Sequence, residues 1–174
     1  MGIQFETDYN METLTAMAKS LRKTVRRKRS RRVHIFAAVV LVLGILTILA
    51  TVSGGEPLGA SGVVTLLAML VVILVSLFED RLNAWFARKR LLPGTEHAAA
   101  TFEEDGYVSA TSMSESKFSY AQIVAVAETA RYFVFALSSH HTQAYDKRTI
   151  RGGSVEDFRA FIAEKTGKPV EKIK

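Results

Sequence analysis

The sequence predicts a membrane-embedded α-helical hairpin followed by a small α+β domain, an antiparallel sheet closed by a C-terminal helix. Three observations carry this. Residues 33–52 and 58–78 are apolar runs without Lys, Arg, Asp or Glu, joined by Ser53-Gly54-Gly55-Glu56-Pro57. Each run holds about 20 residues, which as a helix covers the ~30 Å hydrocarbon core of a bilayer. Positive charge crowds the outer ends of both runs. Beyond Glu96 the pattern changes to short alternating segments with turn residues between them, ending in one amphipathic stretch.

The charge is divided. Residues 1–95 carry thirteen Lys/Arg against six Asp/Glu, whereas residues 96–174 carry ten against eleven. The overall excess of +6 therefore belongs to the membrane half. The chain has no Cys, which removes disulfide, zinc-thiolate and thiol-nucleophile chemistry. A cleaved signal peptide is a poor account of residues 33–52, which begin late, run long and precede a second span.

The N-terminal region, residues 1–32, opens with Ile3-Gln4-Phe5-Glu6, whose alternation suits a short strand. From about Asn10 to Ser30, Leu14, Met17, Ala18, Leu21 and Val25 recur at helical spacing and form one apolar stripe. The remaining faces become basic towards the span, through Arg26, Arg27, Lys28, Arg29, Arg31 and Arg32. Such a helix suits an anionic leaflet, with arginines at headgroup level. A basic run can also meet nucleic acid, but this one abuts a membrane span, so lipid phosphates are the nearest anions and no nucleic-acid partner is expected.

The hairpin, residues 33–78, holds no ionisable group at depth, only His34 at its start. Pumps and charge-selective pores keep such groups there, so the spans read as an anchor. Gly44, Thr47, Thr65, Ala68 and Ser76 permit close helix approach without a clean Gly-x-x-x-Gly face, which leaves homo-oligomerisation open. The loop between the runs carries Glu56 and no Lys or Arg. Positive residues stay on the cytoplasmic side, so both termini of this multi-pass chain are expected there.

Residues 79–95 continue as helix and linker. Trp85 suits the headgroup boundary and Arg88, Lys89 and Arg90 close it, before Pro93-Gly94 breaks the helix. These four join the basic run as expected headgroup contacts.

Residues 96–167 read as a domain. Segments 98–103 and 107–111 flank Asp105-Gly106, a hairpin signal resting on the positive φ that Gly tolerates. Segments 115–119 and 123–128 follow, then 131–137 with β-branched and aromatic content, and 143–146. Ser154 and Asp157 mark a helix start, Phe158, Phe161 and Ile162 its apolar face, and Gly167 with Pro169 its end. Residues 168–174 read as a tail. A domain of roughly 70 residues has a marginal core, so 3–5 are expected to add an edge strand, or the N-terminal helix to pack on the domain.

No catalytic, cofactor-binding or metal-binding set emerges. His140-His141, as adjacent residues, point to opposite faces and have only Asp146 at metal spacing, and Ser138 and Ser139 beside them lack an orienting acid and a glycine elbow. Gly152-Gly153-Ser154, with Lys147, Arg148 and Arg151 nearby, lacks P-loop spacing and is explained by a helix cap.

Short antiparallel strands closed by one amphipathic helix are the layout of a pleckstrin-homology-like barrel. The chain resembles the YcxB-like family of bacterial membrane proteins, through Phe102-Glu103-Glu104-Asp105-Gly106-Tyr107, Tyr120-Ala121-Gln122-Ile123 with Glu128, Tyr132-Phe133-Val134-Phe135, Lys147-Arg148 and the helix start at 153–161. The resemblance implies a two-span inner-membrane protein with a cytoplasmic C-terminal domain, and no reaction. Glu103-Glu104-Asp105 at the first hairpin would repel the phosphates that pleckstrin-like lipid binders grip there. The expected role is thus non-enzymatic: contact with a protein partner or regulation of a membrane complex. The alternative is sensing of anionic lipid by the basic juxtamembrane helix.

Overall fold

A computed structural model describes residues 2–174. The chain divides into two compact units, one comprising residues 28–82 and the other the residues before and after them.

The central unit is helical. α1 (Met11–Lys23) precedes it, and α2 (Arg27–Ser53) and α3 (Ala60–Leu77) form its two long rods. Both are long and apolar enough to cross a membrane. No residue of α2 is buried, and only Gly62 of α3 is. Water-exposed hydrocarbon on that scale is costly, at about 25 cal/mol per Å². α2 approaches α3 at Gly44, where an added Cβ would stand 2.6 Å from Met69 Sδ. The hydroxyls of Thr47, Thr65 and Ser76 bond to carbonyls of their own helices, so they are not cross-helix ties.

One expectation is corrected here. The single helix read over residues 10–30 is two, broken at residues 24–26. Thr24 bonds back to the Ser20 carbonyl through both its N–H and its hydroxyl, ending α1. The basic run from Arg27 onward consequently begins α2 and is no part of the amphipathic helix.

Among the described residues the outer unit holds eight strands. β1 (Ile3–Asp8), β2 (His97–Phe102), β3 (Tyr107–Thr111) and β4 (Glu115–Phe118) form one antiparallel sheet in that order. β5 (Ala125–Glu128), β6 (Tyr132–Ala136) and β7 (Thr142–Asp146) form a second, with β8 (Val170–Lys172) parallel to β5 at its edge. α4 (Glu79–Lys89) leads into the unit, and α5 (Val155–Thr166) precedes β8. Most strand ends fall within a residue or two of the sequence reading. The tail is the exception, because β8 is only three residues and too short for its alternation to register.

The strands make two four-stranded sheets and not one closed barrel. A 3-10 turn over Tyr120–Gln122, capped by Ser119, carries the chain from one sheet to the other. The free edge of β1 is taken by Arg151, whose backbone exchanges hydrogen bonds with Gln4 at 2.9 and 3.0 Å. The first hairpin also differs from expectation. Gly106 is not among the glycines with positive φ. It is required for space instead, since a Cβ there would meet the Phe118 carbonyl oxygen at 2.5 Å.

The core lies between the sheets and under α5. Phe158 sits 4.7 Å from Phe5 and 4.8 Å from Phe102, centroid to centroid, and Phe133 and Phe135 pack beside them. β1 is thus an edge strand that supplies core, through Ile3 and Phe5. α1 covers the far face of the second sheet, where Ala16 and Met17 meet Tyr132, Val134 and Ala144. Every residue of β6 is buried, as a strand covered on both faces requires.

Candidate functional site

Alternation places Tyr107, Ser109 and Thr111 on one face of β3, and β4 brings Ser116 opposite Ser109 and Phe118 opposite Tyr107. At the Tyr107 end this face is filled by stacked rings, Phe102–Tyr107 at 5.0 Å and Tyr107–Phe118 at 5.1 Å. At the other end the side chains are small, and the sheets leave a cleft of about 400 Å³. Leu14 and Met17 of α1, Ala87 of α4 and the 140–143 stretch complete its wall.

Gln143 forms the floor. It is 7% exposed, and its Oε1 accepts from the Tyr107 hydroxyl at 2.7 Å and the Tyr145 hydroxyl at 2.8 Å. Its amide nitrogen, by contrast, has no acceptor among the described residues. Burial pushes the Tyr107 and Tyr145 hydroxyls up, and Tyr9, which also lines the cleft, likewise. All three stay neutral donors. Ser109 and Ser116 face each other across the β3–β4 ladder with side-chain hydroxyls that bond to no group among the described residues.

A second cavity of about 350 Å³ shares Leu14, Met17, Ala87, His140 and Thr142 with the first, so the two make one groove. This half is apolar through Leu21 and Phe86 and carries two guanidiniums, Arg26 and Arg90. Arg26 Nε donates to the Ser139 carbonyl at 2.6 Å and its Nη2 to His140 Nδ1 at 3.0 Å. Arg90 has no carboxylate partner among the described residues. No Asp or Glu lines either half.

Of the expected headgroup residues, the fold brings Arg26 and Arg90 to one groove. Arg27, Lys28, Arg29, Arg31 and Arg32 stand in the opening turns of α2, none paired with a carboxylate among the described residues. Trp85 packs on Phe86 at 4.9 Å and carries Lys89 Nζ 3.7 Å above its ring. Arg88 is exposed.

The weaker candidates find structural roles. Ser138 Oγ accepts from the N–H groups of His140 and His141 and closes their turn. Ser154 and Asp157 cap α5 reciprocally. Beside them lies a cavity of about 520 Å³ whose lining includes Glu104, Asp157, Glu164 and Lys165. Three carboxylates against one ammonium make it a poor place for phosphate. The nearby cations are engaged: Lys147 by Glu128, Arg148 by Asp146 and Arg151 by Glu6.

Sequence reading gave Gln143, Glu128 and Asp146 no role at a site. Glu128 and Asp146 are 6% and 5% exposed, held by Arg159 with Lys147 and by Arg131 with Arg148. Bonds from Arg159 and then Lys147 outweigh burial and hold the Glu128 carboxyl at about 2. A signal for Gln143 did exist: it shares the inward phase of Tyr145, an unusual place for an amide.

Two helices of membrane-spanning length joined to an α+β domain with a polar-floored groove are compatible with an integral membrane protein. Residues 102–162 match the family model described as YcxB-like protein. The match runs from the end of β2 into α5 and covers roughly a third of the chain, so the α1 and α4 walls of the groove lie outside it. No curated protein and no solved structure matches.

Proposed function

We propose that this chain is a non-enzymatic integral membrane protein whose C-terminal, pleckstrin-like domain senses anionic lipid and passes that state to a membrane complex. One observation carries the reading: the groove holds two arginines, one of them unpaired, and no carboxylate among its lining residues. Charge of that kind recruits phosphate, not cations or basic peptides. Chain connectivity supports the same view. Arg26 directly precedes α2, and Asn83 follows the end of α3 by fewer than two helical turns. The basic flanks argue for both termini on the cytoplasmic side of an inner membrane.

The test uses the full-length chain in nanodiscs, with hydrogen exchange read along α1 and α4. Slowed exchange on introducing phosphatidylglycerol, phosphatidylserine or phosphatidic acid into phosphatidylcholine supports the reading. Exchange indifferent to all three ends it. Orientation is checked by protease access to tags at Gly55 and Lys174, the latter being expected to stay protected in intact cells.

A second reading, a protein-docking module, is favoured by β4. It is the outer strand of its sheet, and its Glu115, Ser116 and Lys117 are exposed. Strand addition would use that edge. Crosslinking from Lys117 in intact cells, with capture of one stoichiometric protein, would support it.

A further inference from the structure

We infer that the groove is specific for one class of anionic lipid, phospholipids whose headgroup carries free hydroxyls of the glycerol or inositol type. The inference rests on the lipid-sensing reading and goes beyond it, because it assigns the inner cleft as a headgroup subsite. The deciding observation is Gln143. Gln143 is 7% exposed, its oxygen is doubly occupied, and its nitrogen, with no acceptor among the described residues, presents its N–H groups to the cleft. Ser109 and Ser116 add two hydroxyls that donate and accept. Together these groups complement a ligand that both donates and accepts without charge, which describes a diol or polyol.

The rest of the groove sets the remainder of the ligand. Arg26 and Arg90 supply the phosphate site, and Leu21 and Phe86 offer apolar surface next to them. The polyol then occupies one half of the groove, and the phosphate and the start of the hydrocarbon the other, which holds both the arginines and the apolar side chains. Headgroups that carry an ammonium are disfavoured, because no carboxylate lines the cleft to receive it. Phosphatidic acid satisfies the arginines and leaves Gln143 unmet.

The experiment places the full-length chain in phosphatidylcholine nanodiscs containing equal fractions of phosphatidylglycerol, phosphatidylinositol, phosphatidylserine or phosphatidic acid. Hydrogen exchange is followed at residues 109–116 and 142–144. Phosphatidylglycerol and phosphatidylinositol should slow exchange there about tenfold more than the other two. A double variant, Ser109→Ala with Ser116→Ala, should abolish that preference while the general response to anionic lipid persists. Arg90→Gln should weaken the response to all four. Gln143→Leu is the sharper probe, but it also strands two tyrosine hydroxyls, so the serine pair decides. Equal protection by all four lipids, with an intact response in the serine variant, overturns the headgroup assignment and leaves lipid sensing standing. No protection by any of them defeats both. Equal protection by free glycerol 3-phosphate with zwitterionic nanodiscs also overturns the assignment, by making the ligand a soluble metabolite.

Discussion

Arg26 Nη2 donates to His140 Nδ1 at 3.0 Å, tying the break between α1 and α2 to the turn between β6 and β7. A break in a helix is a natural hinge, and this bond, with that to the Ser139 carbonyl, fixes one side of it. Arg26→Ala should quicken hydrogen exchange at residues 24–27 and 138–141 together. The melting temperature should barely move, because an exposed polar pair contributes under about 1 kcal/mol. Quickening at only one of the two segments would show that the bond does not couple them.

Glu128 is expected to shape the acid limb of the domain's stability. Its carboxyl is lowered to about 2 from an ordinary 4.5, first by the Arg159 bond. A lowered carboxyl contributes stability that is complete above the unfolded value and lost as pH falls through the folded one. The window is therefore between 4.5 and about 2. The amount is about 3 kcal/mol, at roughly 1.4 kcal/mol per unit. Glu128→Gln should cost about that much at neutral pH and flatten the acid limb of a denaturation series. An unchanged limb would show that other carboxylates govern it.

The N-terminal segment is structural. Phe5 is 1% exposed at the centre of the ring cluster, and Thr13 Oγ1 donates to the Tyr132 hydroxyl at 3.1 Å across 119 residues of sequence. Phe5→Ala should destabilise the domain by about 3–5 kcal/mol. Removing residues 2–20 deletes β1 and most of α1, and should lower the thermal transition further still. A transition unmoved by that truncation would mean that the remaining strands hold the core alone.

Gly152 closes the edge of β1. Its φ is +81°, and a Cβ there would come 2.5 Å from the Gly2 carbonyl oxygen. Both the conformation and the contact oppose a side chain, so Gly152→Ala should cost about 2 kcal/mol or more, read as a shift in the urea midpoint. Gly153→Ala is the control, because Gly153 has no positive φ and its Cβ would meet side chains and no backbone, the Ile3 side chain at 3.3 Å and Asp157 Cβ at 4.0 Å.

The sequence by itself determined what depends on local order. Residues 33–52 and 58–78 are two bilayer-length runs without Lys, Arg, Asp or Glu, so their helical form and span length follow from composition and rise alone. Tyr107–Thr111 and the Ser154–Asp157 cap were legible for the same reason, since hairpin alternation and capping are settled within a few residues. Tertiary structure decided the rest. Whether strands close a barrel or part into two sheets depends on which edges meet, and Arg151 reaching Gln4 is a choice made across nearly the whole chain. The short β8 exists only because β5 offers it an edge. Gln143 acquired its meaning when Tyr107 and Tyr145 converged on its oxygen and left its nitrogen facing open space. Short-range pattern carries no information on such convergence, because the groups that complete the site come from α1, α4 and both sheets.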